Sequence, residues 1–455
     1  MRWLLLLLFL VGFITCQNVL GDLGVGFFAL TCLDTAACAL LLSRFEAPLE
    51  QTLWAWIGLI LILDAYFARM FWIVNHLNQA AYINRNYYDI RWVTRDRILA
   101  GYPWASAGFL VFCIAASAAL TLPHQPPTTR QRPLRSVALV PWTRLVVGVF
   151  LVYLVASLLQ LRLGYGIRGV ANPSLPFRLG TLIAFLREEV VPSVLVLAVW
   201  IFDKRNRRWT NITLILLFVS GVLDSLLSTS RGELLLFTVP VFALWGLTSR
   251  FTPPRKWALA TVLIAAAVLV PLVSAERVQR ISGTSGTGPT ISLDTLTQSA
   301  FFLGDRAGSG GIEAIWYSLD HKGTPSVART LSYLRPYTFT RYYTYTVVGI
   351  RTNNDYRSSG MFGAFIIIGS GAVLVALTLC VVLLIVSLWI LLRRLRTRPV
   401  ALALATVTVA LIIVDPTGAV LTIPKLLIAV GVCEVLYRRL ALSTPTSVRS
   451  VREPA

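Results

Sequence analysis

The chain has 455 residues, of which 56% are hydrophobic and only 14% charged, and its mean hydropathy is +0.71. Soluble domains carry about 25% charged residues, so these values exclude an ordinary soluble protein. The formal net charge of +20 does not signal nucleic-acid binding. Apart from Lys204, Lys256, Lys322 and Lys425, the basic residues are arginines, and they lie between apolar blocks, where cytoplasmic loops concentrate positive charge.

The apolar blocks run to about 17–22 residues, enough to cross a hydrocarbon core of roughly 30 Å. In chain order they predict an all-α polytopic membrane protein of about twelve transmembrane helices, at 3–19, 23–42, 53–71, 101–122, 140–161, 179–202, 211–228, 233–247, 257–274, 360–392, 399–414 and 419–437. The first block resembles a signal peptide, but it lacks a small-residue cleavage site and a second block follows at once, so it reads as a retained helix. The tenth is too long for one straight crossing, which makes 361–371 a tilted or re-entrant lead-in. The expected divisions are a helical region 1–274, one large polar loop 275–359, a second helical region 360–437 and a tail 438–455.

With the N-terminus inside, the short cytoplasmic connections hold Arg44, Arg130, Arg132, Arg135, Arg205, Arg207, Arg208, Arg250, Arg255, Arg393, Arg394, Arg396 and Arg398, and the tail adds Arg438 and Arg439. The short outside connections hold little beyond Arg231 and Lys425. Both termini are therefore expected in the cytoplasm and the loop 275–359 outside. The cysteines all fall within expected spans, without metal spacing, and read as small buried residues.

Charged groups at the membrane boundary are costly, so they tend to face a cavity or pair with one another. One such group is Ser228-Thr229-Ser230-Arg231-Gly232-Glu233, with Asp224 a helical turn before it. The Arg231 guanidinium has the fork geometry that suits phosphate oxygens; the alternative is an interfacial arginine reaching to water. A second is Arg187-Glu188-Glu189, set in the apolar sequence of the sixth span: either the helix starts later and they lie at the interface, or they line a polar cavity, where a buried carboxylate can act as a general base. In the large loop, Arg277 and Arg280 form a charged helix exit, Asp305 and Arg306 sit in a glycine-rich turn, and Arg335, Tyr337, Arg341 and Tyr342 form an arginine–tyrosine cluster followed by Arg351. Tyrosine rings stack on sugar faces while arginines hold phosphate, although an aromatic belt at the membrane boundary has the same composition. His321 is the loop's lone histidine, and there is no HExxH, Walker lysine or GxSxG motif.

The polar loops after spans five and nine, the Ser230-Arg231-Gly232 sequence before span eight, and Gly360-Met361-Phe362-Gly363 leading into span ten resemble the Wzy-type O-antigen and exopolysaccharide polymerases. Arg277 with Gly288 fits the family's arginine–glycine spacing in the large loop, whereas 163–177 has no such pair, a departure from its two-loop pattern. The resemblance implies a membrane glycosyltransferase of the bacterial inner membrane that joins undecaprenyl-diphosphate-linked repeat units at the outer face, without metal, cofactor or nucleotide sugar. The implied partners are the lipid-linked oligosaccharide, membrane lipids, and a flippase and chain-length regulator of the same pathway. Catalysis would fall to Arg231, Asp305, Arg306, Glu188 and Asp224, and substrate binding to Arg187, Arg277, Arg280, Arg335, Tyr337, Arg341, Tyr342 and Arg351. The related O-antigen ligases use a loop histidine, but Lys322 after His321 departs from their pattern. A lipid-linked oligosaccharide flippase would need charges lining a path through both leaflets. A lipid-phosphosugar glycosyltransferase would need more acid in its first outside loop than Asp22.

Overall fold

The structure, a computed structural model, describes residues 24–64, 95–122, 139–166, 179–203, 205–228, 233–248, 252–282, 312–324, 326–333, 338–347 and 359–442, with isolated positions 3, 6, 7, 10, 176 and 335. Among the described residues there is no strand. The helices are α1 (Gly24–Ser43), α2 (Leu49–Leu63), α3 (Arg95–Thr121), α4 (Val140–Leu163), α5 (Leu179–Phe185), α6 (Val191–Phe202), α7 (Arg207–Ser228), α8 (Glu233–Thr248), α9 (Pro253–Ser282), α10 (Ile312–Asp320), α11 (Val327–Tyr333), α12 (Thr338–Tyr342), α13 (Gly360–Leu392), α14 (Arg398–Val414) and α15 (Ala419–Leu442). Six helical segments, in α1, α3, α4, α7, α13 and α15, are long and apolar enough to cross a membrane, while α2, α8 and α14 are shorter apolar helices. The expected first span lies almost wholly outside the described residues.

At the centre is α14, packed against α2, α6, α8, α13 and α15. Its small residues Ala401, Ala403 and Ala405 are fully buried and let these neighbours approach closely. On α3, Gly101 lies under the ring of Trp316 from α10, and Gly108 under the ring of Phe362 from α13. A side chain at either glycine would displace an aromatic ring that is buried in the core.

Of the connections expected to carry positive charge, those among the described residues gather at one end. Glu50 takes Arg393 Nε at 3.2 Å and Arg398 Nε at 3.1 Å, and its carbonyl accepts from Trp389 Nε1 at 2.6 Å. Glu434 accepts from the Thr397 amide and hydroxyl and from Arg438 Nε, and Asp203 pairs with Arg255 at 2.7 Å. These bonds tie the ends of α2, α6, α9, α13, α14 and α15 into an arginine-rich end. At the opposite end, Thr340 of α12 donates to Asp415 at 3.2 Å, joining the large loop to the α14–α15 turn. Between the ends, Asp34 of α1 is fully buried and accepts from Ser106 at 2.8 Å and Tyr102 at 3.2 Å on α3. Such bonds act as glue between apolar helices.

Two features differ from expectation. Helix α9 runs on to Ser282, past the hydropathy drop at Ala275, so Arg277 and Arg280 stand on helical backbone. Cys38, Cys113 and Cys433 are buried as expected, but Cys32 and Cys380 are exposed on their helices.

The course of α13 changes at Gly369 (φ −169°, ψ 20°) and Ser370 (φ 68°, ψ −157°), within the interval expected for a lead-in. From 371 to 392 the helix covers roughly 33 Å at about 1.5 Å per residue, a full crossing by itself. The segment before the break is buried throughout, from Gly360 to Gly369. Ser370 occupies a region open almost only to glycine, which costs about 1–3 kcal/mol. Ser370→Gly removes that strain but loosens the unfolded chain by about 0.4–1 kcal/mol. The net expectation is a gain of about 1 kcal/mol, read as a higher melting temperature in detergent.

Candidate functional site

Pro192 has no amide hydrogen, so the ordinary helical bond to the carbonyl four residues back, at Glu188, cannot form. The helix widens instead into a π turn over Leu186–Val190, closed by the Val191 amide on the Leu186 carbonyl. Such turns commonly occur at functional positions. This one presents Arg187, Glu188 and Glu189 between α4, α7 and α15.

Arg187 is fully buried, and its Nε meets Oδ1 of the equally buried Asp224 at 2.6 Å. Its Nη2 donates to Glu188 Oε1 at 2.8 Å. The Glu188 side chain is about one-third exposed at 32%, as is Glu189 at 31%. Glu189 faces Lys425 of α15 at 3.8 Å. Glu233, at the start of α8, is buried and lies close enough to act electrostatically on both Glu189 and Asp224. The site is thus a buried ion pair with carboxylates and one lysine nearer the surface.

Local packing fixes these groups. Gly221 of α7 lies against Leu234 and Phe237 of α8, with room for a Cβ only at 3.2 Å contacts. One turn on, Ser225 Oγ accepts the Leu234 amide at 3.1 Å, satisfying one of the free donors at the start of α8. Tyr153 of α4 donates to the Ser220 carbonyl at 2.7 Å and holds α4 against α7.

Of the residues expected to act, the structure brings together Arg187, Glu188 and Asp224. Arg335 and Arg341 are exposed near α12, in a separate group where the Tyr342 ring packs at a tilt of 38° against Tyr333 at 5.5 Å and Tyr333 meets Phe339 edge-on at 5.3 Å. Burial and the neighbouring Tyr342 raise the Tyr333 hydroxyl above its usual pKa, with Arg329 opposing. Thr340 and Asp415 attach this group beside the first residues of α15, the helix that carries Lys425. Arg277 and Arg280 are placed only as helical backbone. Arg231, Asp305, Arg306, Tyr337 and Arg351 lie outside the described residues. The structure places Glu189 and Glu233 of the same two charged motifs beside this cluster, and adds Lys425 and Tyr153 to it. No group of three or more potential metal ligands occurs among the described residues. No protein-family model, curated protein or solved structure matches this chain.

Proposed function

We propose that this protein is a membrane glycosyltransferase that polymerises undecaprenyl-diphosphate-linked repeat units into a surface polysaccharide. It would work at the outer face of a bacterial inner membrane, with about twelve spans and both termini cytoplasmic. The observation that carries this reading is the Arg187–Asp224 pair with Glu188 beside it, at the end of the bundle away from the arginine-rich loops. In the reaction, the acceptor hydroxyl oxygen bonds to the anomeric carbon of the growing glycan. The bond from that carbon to the diphosphate breaks, and its electron pair leaves on the lipid diphosphate. The hydroxyl proton passes to a carboxylate, Glu188 or Asp224. Guanidinium groups contribute most where negative charge develops, on the departing diphosphate, a role assigned to Arg231 with Arg277, Arg306 and Arg341.

A second reading, transport of the lipid-linked oligosaccharide, draws on the break at Gly369-Ser370, since interrupted helices commonly form transporter sites. One experiment separates the two. Arg231→Ala is expected to reduce the lipid-linked glycan ladder to single repeats, and Arg231→Lys to shorten it, because lysine keeps the charge but loses the fork. Translocation of the lipid-linked unit in vesicles should be unchanged in both variants. Lost translocation with normal chain growth on supplied outward-facing units would select the transporter.

A further inference from the structure

On α4, Tyr153, Ser157 and Gln160 follow at spacings of four and three, which places them on one helical face. All three are buried. Tyr153 donates to the Ser220 carbonyl of α7, is hydrogen-bonded with Ser157 and Asp224, and lies near Arg187. Around this group three buried polar atoms have no partner among the described residues: Gln160 Oε1, Arg187 Nη1 and Ser220 Oγ. A buried polar group left without a partner is costly, and several in one place are rarely left unsatisfied. By contrast, the buried polar group on α1 and α3 is closed, with both Asp34 oxygens bonded.

We propose that the face between α4 and α7 is a hydrated inlet, filled by a short chain of water molecules that joins the Arg187–Asp224 pair to the aqueous end of the bundle. The polar atoms of this face match water, which both donates and accepts. Ser157 and Ser220 do both, Gln160 Oε1 and Asp224 Oδ2 accept, and Arg187 Nη1 donates. A metal cation suits this place poorly, because the Arg187 guanidinium would repel it. The mouth lies where α4 ends in the turn Gly164–Tyr165–Gly166. Both glycines have positive φ (62° and 74°), and a Cβ at Gly166 would come within 3.2 Å of the Gln160 amide nitrogen. The turn thus folds back directly over Gln160. The inlet's use rests on the proposed transfer: the proton that leaves the acceptor hydroxyl binds Asp224 Oδ2 and passes along the waters to the outside, one proton for each glycosidic bond formed.

The test is X-ray hydroxyl-radical footprinting of the intact chain in lipid nanodiscs, with oxidation of each tyrosine followed by mass spectrometry. Tyr153 and Tyr102 are both buried, at 0% and 1% exposure, and differ in whether polar atoms beside them are unpartnered. Tyr153 is expected to oxidise several times faster than Tyr102, and the double substitution Ser157→Val with Gln160→Leu should bring it down to the Tyr102 rate. A wild-type Tyr153 rate no higher than that of Tyr102 would overturn the inlet, whatever the variant does. The labelling needs no glycan, so it separates the two ideas. Fast oxidation in a protein that elongates nothing keeps the inlet and removes the polymerase. Slow oxidation in a protein that elongates does the reverse.

Discussion

Replacing Arg187 with leucine is expected to destabilise the protein by about 3–5 kcal/mol, because it leaves the buried Asp224 carboxylate without its cation. Asp224→Asn should cost less, about 1–2 kcal/mol, since Arg187 keeps Glu188 at 2.8 Å. The asymmetry follows from the count of partners: the arginine has two carboxylates, and among the described residues it is the only cation paired with Asp224. The double substitution Arg187→Met with Asp224→Leu removes both charges together and should recover most of the stability, because buried pairs are often replaced by apolar residues without loss. If the pair serves glycan transfer, that double variant melts near the wild-type temperature and still makes no glycan ladder. A stable double variant that elongates normally would reduce the pair to a structural tie between the π turn and α7. Thermal unfolding in detergent and the ladder on a gel are the two readouts.

Part of this site is legible in the sequence because charges stand out in an apolar chain. Arg187-Glu188-Glu189 and Asp224 are conspicuous for that reason, as two separate groups; that Arg187 pairs with Asp224 shows only in the packing of the π turn on α7. Lys425 is as conspicuous, but a single charge does not say which carboxylate it faces; only the packing of α15 on the π turn does. Tyr153, Ser157 and Gln160 are less visible, because hydropathy averages them into the span. Their spacing of four and three was the available signal, and it identifies a face without identifying its neighbour. The α9 helix outruns its apolar stretch because backbone hydrogen bonding does not stop where hydropathy falls. The break in α13 was foreseeable from length alone, since 33 residues exceed one crossing. What length cannot supply is the strained conformation at Ser370, or what rests against the break.

What rests there is Gly323, and Gly323→Ala is expected to cost about 2 kcal/mol. The carbonyls of residues 366–368 end the first segment of α13 and lose their helical partners at the break. The Gly323 amide approaches the Ile366 carbonyl at 3.4 Å, and a Cβ at Gly323 would collide with the carbonyls of Ile367 and Ile368. Those are backbone atoms, which cannot rotate away as a side chain would, so the loop itself must lift. Arg329 Nη1 lies against the same glycine, a cation at the negative end of a helical segment. Beside it, Lys322 sits 5.6 Å from the centre of the Trp104 ring, and Trp104 covers Gly371 just past the break. Residues 321–324 thus couple the loop 275–359 to α13, a helix long and apolar enough to cross a membrane. Lys322→Ala removes only a partly exposed cation–ring contact, worth about 0.5–1 kcal/mol, and should melt close to the wild type. The comparison isolates the backbone approach: a large loss in Gly323→Ala beside a small one in Lys322→Ala places the coupling at the glycine. Equal melting of Gly323→Ala and wild type would mean that the loop does not rest on the break.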